Sequence, residues 1–154
     1  MDKLFDFENG KLFLDYPNFP KFDITIRKPI TIVLGDSATG KSMLVSLINQ
    51  IIDNSVLEKC TDSINIKTFR TEIDLESIKS LEGYLIIIDR ADLILTDKKD
   101  VLEFINQDIK NCYLIFGRNS YGLSLSPNYF AEFVPSEDFS EIRTNYKYSE
   151  RGWF

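Results

Sequence analysis

The chain contains no histidine, which excludes Ser-His-Asp triads and metal sites built on imidazole. Cysteine is nearly as scarce. Cys60 and Cys112 are scattered, a pattern that fits reduced thiols rather than a disulfide framework. No apolar run approaches the roughly 20 residues needed to span a bilayer. The opening stretch, MDKLFDFENGK, lacks the apolar centre and small-residue cleavage site of a signal peptide. Positive charge is also short: 18 Lys and Arg face 24 Asp and Glu, for a net charge of −6. Nonspecific nucleic-acid binding, which relies on Lys and Arg neutralising phosphates, is therefore not favoured. These absences together predict a cytoplasmic protein with no membrane partner.

What remains is ordinary for a globular chain, with 44% apolar and 27% charged residues. The 154 residues suit one domain with room for a sizeable core, and neither a repeat nor a long linker divides it. Residues 11–16 (KLFLDY) and 22–26 (FDITI) read as strands. Asn9-Gly10 is a turn dipeptide, so residues 4–7 and 11–14 are expected to pair as a hairpin. The first 28 residues are expected to form a β appendage at the edge of a main sheet, ahead of a core over 29–135 and a polar tail over 136–154. Phe5, Phe7, Phe13, Tyr16 and Phe19 in the appendage read as sheet-face or core aromatics, with nucleobase stacking as the alternative.

The strongest local pattern follows. Ile30, Ile32, Val33 and Leu34 read as a buried strand, and Leu44, Leu47, Ile48, Ile51 and Ile52 recur at helical spacing. Between them Gly35, Asp36, Ser37, Ala38, Thr39, Gly40, Lys41 and Ser42 match G-x-x-x-x-G-K-[ST], the phosphate-binding loop or Walker A motif. The chemistry explains the spacing. Gly35 allows a tight exit from the strand, the loop's backbone N–H groups can ring an anion, and Gly40 leaves room for phosphate. The helix adds its orphan N–H groups and the positive end of its dipole. Lys41 would lie along the β- and γ-phosphates, and the Ser42 hydroxyl would join a Mg²⁺ shell.

Further apolar runs alternate with helical patterns. Residues 64–69 (INIKTF) suit a strand, and Leu75, Ile78 and Leu81 give one face of a short helix closed by Gly83. Residues 84–89 (YLIIID) and 112–116 (CYLIF) suit strands buried on both faces. Between these two runs, Val101, Leu102, Ile105 and Ile109 mark a helix that Thr96 or Asp97 can cap. Residues 130–134 are expected to form a last strand. The alternation predicts an α/β fold, a three-layer and mostly parallel sheet with helices on both faces. Its ligand is expected outside the carboxyl ends of the strands.

On Gly35 to Ser42 and the strand and helix around it, the chain resembles the P-loop nucleoside triphosphatases. Residues 86–95 (IIIDRADLIL) look most like the stretch after the Walker B strand in the AAA-type and RecA-type branch. The resemblance implies that Asp89 is the Walker B carboxylate, holding Mg²⁺ together with Ser42. The family places a catalytic glutamate next, where this chain has Arg90, and a guanidinium cannot accept a proton from water. Two carboxylates are candidates to replace it. Glu72 follows the 64–69 strand, and Asp92 lies three residues past Asp89. Each also has an ordinary reading, as a solvated loop acid and as a cap. Asn119 and Arg118 stand where such ATPases carry a polar sensor of the γ-phosphate, although Arg and Asn are common in turns. Arg143 and Arg151 are candidate arginine fingers only by their charge. The guanine-reading N-K-x-D pattern is absent, so ATP is the nucleotide by elimination.

The resemblance implies a Mg²⁺-dependent ATP-binding protein, a slow or partner-activated ATPase, acting with a protein partner or as a homo-oligomer. The alternatives are a non-hydrolysing switch or adaptor, favoured by Arg90, and a small-molecule kinase. A module with a vestigial loop is the fourth reading.

Overall fold

A computed structural model describes residues 3–27, 29–34, 40–57, 64–71, 75–96, 98–117 and 129–146. Their strands are β1 (Phe5–Asp6), β2 (Lys11–Leu14), β3 (Lys21–Thr25), β4 (Ile30–Leu34), β5 (Ile66–Phe69), β6 (Leu85–Ile88), β7 (Cys112–Phe116), β8 (Phe130–Pro135) and β9 (Glu141–Tyr146). The helices are α1 (Lys41–Leu57), α2 (Ala91–Ile94) and α3 (Lys99–Gln107), with a 3-10 helix over Leu75–Ser80. All nine strands join one sheet in the order β1-β2-β3-β9-β8-β4-β7-β6-β5.

Side-chain alternation explains which strands need cover on both faces. β6 and β7 are buried at every position, whereas β2 alternates exposed and buried. Continuous apolar runs require layers on both sides; an alternating strand can leave one face in water. The structure meets both demands. On one face, α1 packs Leu44, Val45, Leu47, Ile48 and Ile51 into a cluster to which every strand contributes, from Phe5 to Ile142. On the other face, the 3-10 helix, α2 and α3 cover Ile32, Ile86, Ile88 and Ile115. The outer face of the antiparallel strands carries Phe13, Asp23, Arg143 and Val134 in one lateral row.

A sheet whose nine strands all feed one hydrophobic cluster curls around that cluster, and the two edge strands approach each other. The Asn65 side chain ties them: its Oδ1 accepts the Phe5 N–H at 2.8 Å and its Nδ2 donates to the Phe5 carbonyl at 2.8 Å. A side-chain amide thus stands in for a neighbouring strand. Along this seam runs a groove of about 1500 Å³, lined by Phe5, Asn49, Ile52, Asn65, Thr68 and Tyr84 among others.

The expected three-layer, mostly parallel sheet with an N-terminal β appendage is therefore corrected. The sheet is mixed, nine-stranded and nearly barrel-shaped, with few helices. The physical reason lies in Leu12, Leu14, Phe22 and Ile24, which bury against the same cluster as α1 and so make β2 and β3 integral to the sheet. β9, in what reads as a polar tail, supplies the missing link. It pairs parallel to β3 and antiparallel to β8. The expected hairpin does form, with β1 and β2 antiparallel around a Gly10 at φ 66°. Ile109 is not on the helix face; α3 ends at Gln107, and Ile109 is 85% exposed.

Candidate functional site

Strands β8, β4, β7, β6 and β5 run parallel, so their carboxyl ends share one edge of the sheet. β4 ends at Leu34, and α1 begins at Lys41, so the strand and helix flank the motif as the sequence implies. Gly35, Asp36, Ser37, Ala38 and Thr39 lie outside the described residues, as do Glu72, Arg118 and Asn119. Gly40, Lys41 and Ser42 lie within them.

Gly40 has φ 97°, a value that L side chains rarely adopt. A Cβ there would also sit 2.5 Å from Ile142 Cδ1. The left-handed φ is what calls for glycine here, since the Ile142 methyl is the end of a flexible side chain and can give way. Behind it, the Leu44 N–H donates to the Gly40 carbonyl at 3.0 Å and opens α1. The first turn of this 17-residue helix carries no acidic side chain of its own. Lys41 is half-buried, its Nζ 6.0 Å from the centroid of the Phe116 ring at the end of β7. Ser42 is exposed.

Parallel register brings further groups to this edge. Phe69 pairs with Ile88, so the next residues, Arg70 and Asp89, become lateral neighbours. The Asp89 N–H donates to the Phe69 carbonyl at 2.9 Å, and the Asp89 carboxylate lies 3.5 Å from Arg70 Nε. Asp89 is partly shielded and Arg70 about half exposed, so their attraction is screened. Sequence reading missed Arg70. The signal was available, because Arg70 and Asp89 each directly follow the last buried residue of neighbouring parallel strands.

Arg90 takes φ 57° and ψ 49°, the left-handed region, at the start of α2. Its backbone conformation turns the chain sharply out of β6, and its side chain is exposed. Among the described residues, all three non-glycine residues at positive φ (Asn18, Arg90 and Phe139) lie at this same edge. Strained backbone persists where surrounding structure over-determines it, and it clusters at ligand sites. Arg143, by contrast, is held by Glu141 at 2.6 Å on the outer face of β9.

Among the described residues no group of three or more His, Cys, Asp or Glu side chains is placed to hold a metal. One hydroxyl and one carboxylate, the chemistry of Ser42 and Asp89, are a donor set suited only to an ion that keeps most of its waters, as Mg²⁺ does. They do not fit an all-protein cage.

The opposite, amino edge holds a different assembly, which sequence reading also missed. Asp108 accepts from Tyr113 Oη at 2.6 Å, Asn111 Nδ2 at 2.8 Å and the Lys110 N–H at 2.8 Å. Burial, and then the Asp108 carboxylate beside it, push the Tyr113 hydroxyl well above its ordinary pKa. Asn111 also accepts the Tyr84 N–H and donates to the Leu81 carbonyl. Each of these groups has a partner within the protein.

No protein-family model matches the chain, and no curated protein matches it. Of the described residues, no helix is long and apolar enough to cross a membrane.

Proposed function

We propose that the chain is a Mg²⁺-dependent ATP-binding protein of the P-loop type, acting as a slow or partner-activated ATPase. One observation carries this reading: the motif Gly35 to Ser42 lies between a parallel strand of the sheet and the N-terminus of α1, whose first turn has no acidic side chain. In this reading the backbone N–H groups at the start of α1 and the Lys41 ammonium hold the phosphate tail. Ser42 and Asp89 hold the Mg²⁺ water shell, and Arg70 keeps the Asp89 carboxylate oriented until the metal competes for it. Mg²⁺, when bound, supplies charge neutralisation between the β- and γ-phosphates. A reducing, cytoplasmic setting goes with this proposal; Cys112 is buried and, among the described residues, in no disulfide.

A second reading, an ATP-holding switch or adaptor without turnover, is favoured by Arg90. Asp89 is followed by a guanidinium in a left-handed turn rather than by a carboxylate. A group that cannot take a proton cannot activate water.

Titration of a fluorescent ATP analogue with Mg²⁺ tests the shared premise. Wild type is expected to bind and Lys41→Ala to lose roughly 100-fold or more in affinity, because a charge-assisted phosphate contact disappears. Equal binding by both proteins ends the proposal. Phosphate release, measured with and without added partner proteins, then separates ATPase from adaptor.

A further inference from the structure

We infer that Phe139 is the nucleobase platform of the same site, so that the ligand is read as a nucleoside triphosphate and not as a bare polyphosphate. This rests on the phosphate-binding reading above. Phe139 is 66% exposed on the turn between β8 and β9. It holds φ 58°, which for a bulky aromatic residue is an outlier. Among the described residues neither hydrophobic cluster takes in this ring.

Hydrogen bonds hold the turn that carries it. The Phe139 N–H donates to the Ser136 carbonyl at 2.9 Å, and the Ser136 N–H donates to the Glu141 carbonyl at 2.8 Å. Asp138 Oδ1 accepts from Ser136 Oγ at 2.9 Å, Ser140 Oγ at 2.7 Å and the Ser140 N–H at 3.1 Å. Asn or Gly would meet such a backbone more easily. An unfavourable conformation kept in place by so many bonds is the kind found at ligand clamps.

Position decides the ligand. β8 runs parallel to β4 and continues past it, Leu34 being level with Glu132, so the turn that follows β8 stands on the carboxyl edge beyond the end of β4. Ile142, three residues beyond Phe139, is the residue against which Gly40 packs. Three extended residues span at most about 11 Å. That reach suits a ribose and the phosphates nearest to it, with the triphosphate end at Lys41 and the base at the turn. The neighbouring loop between β2 and β3 borders the same ground. The Lys21 N–H donates to the Ser140 carbonyl at 2.9 Å, and Tyr16 in that loop is 38% exposed. A flat ring on a rigid turn stacks any base face, which gives affinity for ATP with little discrimination among bases.

Isothermal titration of ATP and of inorganic tripolyphosphate, each with Mg²⁺, tests this on wild type, Phe139→Asn and Phe139→Trp. Asn suits the left-handed turn, so Phe139→Asn removes the ring and keeps the fold, with melting temperature as the check. Wild type is expected to prefer ATP over tripolyphosphate. Phe139→Asn is expected to weaken ATP by about 10- to 100-fold and leave tripolyphosphate unchanged. Phe139→Trp is expected to retain ATP within about threefold, with its indole fluorescence quenched on binding. The inference is overturned if Phe139→Asn binds ATP like wild type, if both ligands weaken together, or if wild type takes both ligands equally well. If wild type binds neither ligand, the phosphate site itself fails, and the platform fails with it. A ring that serves a protein partner would leave all nucleotide titrations unmoved and so count against the inference.

Discussion

The two edges of this sheet are finished in opposite ways. The amino edge is sealed by side-chain amides, a phenol and a buried carboxylate, each paired: Asn65 with Phe5 and Gly83, Asn111 with Tyr84 and Leu81, Asp108 with Tyr113. The carboxyl edge carries the three left-handed non-glycine residues, an exposed phenyl ring, Lys41 and the Arg70–Asp89 pair. Polar groups at the first edge spend their hydrogen-bonding capacity on the protein itself. Those at the second stand partly in solvent, next to strained backbone. The difference separates residues that hold the curl of the sheet from residues to which the proposal assigns a ligand.

The comparison breaks most readily at Asn65. Asn65→Ala deletes three hydrogen bonds and leaves the Phe5 N–H without its partner at the seam. The expected cost is about 3 kcal/mol, from the lost bonds and the stranded donor. Urea unfolding measures it, and hydrogen exchange at Phe5 should rise first. On the proposed reading, ATP affinity of the remaining folded protein is expected to stay unchanged, and a large loss of affinity would mean that the edges are not independent. Tyr113→Phe comes next. It removes one donor from Asp108 while Asn111 and Lys110 still bond to the carboxylate. About 1–2 kcal/mol of stability is expected to go. A cost near zero would show that the phenol is replaceable by water at that edge.

Much of the central region was legible because burial on both faces leaves an unbroken apolar run. Residues 112–116 read as a strand, and β7 is Cys112–Phe116; the 84–89 run differs from β6 only at its ends. Turn chemistry was legible too, since Asn9-Gly10 sets a hairpin whichever sheet it joins. The sheet's closure was not legible. β9 reads as polar because only Ile142 is buried in it, and its place depends on two strands far away in sequence, β3 and β8. Asn65 looks like any polar position of an alternating strand until Phe5 is brought beside it. At the candidate site, local pattern gave the loop, Lys41, Ser42 and Asp89. Arg70 and Phe139 needed register and backbone torsion, neither of which a single sequence displays.

The smallest expected effect falls on the carboxyl edge, at Asp138. Its carboxylate accepts from Ser140 Oγ, the Ser140 N–H and Ser136 Oγ, and these bonds, Ser140 foremost, hold its pKa below the ordinary aspartate value. A carboxyl whose folded-state pKa is depressed stabilises the fold fully above its unfolded value, near 3.9, and loses that contribution as pH falls through the depressed value. The turn that presents Phe139 is therefore expected to hold from neutral pH down to about 4 and to loosen below it. The Ser140 amide shift and exchange rate report this by NMR. The Ile26 N–H, bonded to the Gly10 carbonyl at the opposite edge, serves as the control. A Ser140 amide that loosens well above pH 4, or that follows Ile26 throughout, would show that the turn owes its shape to backbone pairing alone. Asp138→Asn is then the sharper probe. An amide offers a weaker acceptor to the same donors, so the turn should loosen at every pH and the pH dependence at Ser140 should vanish.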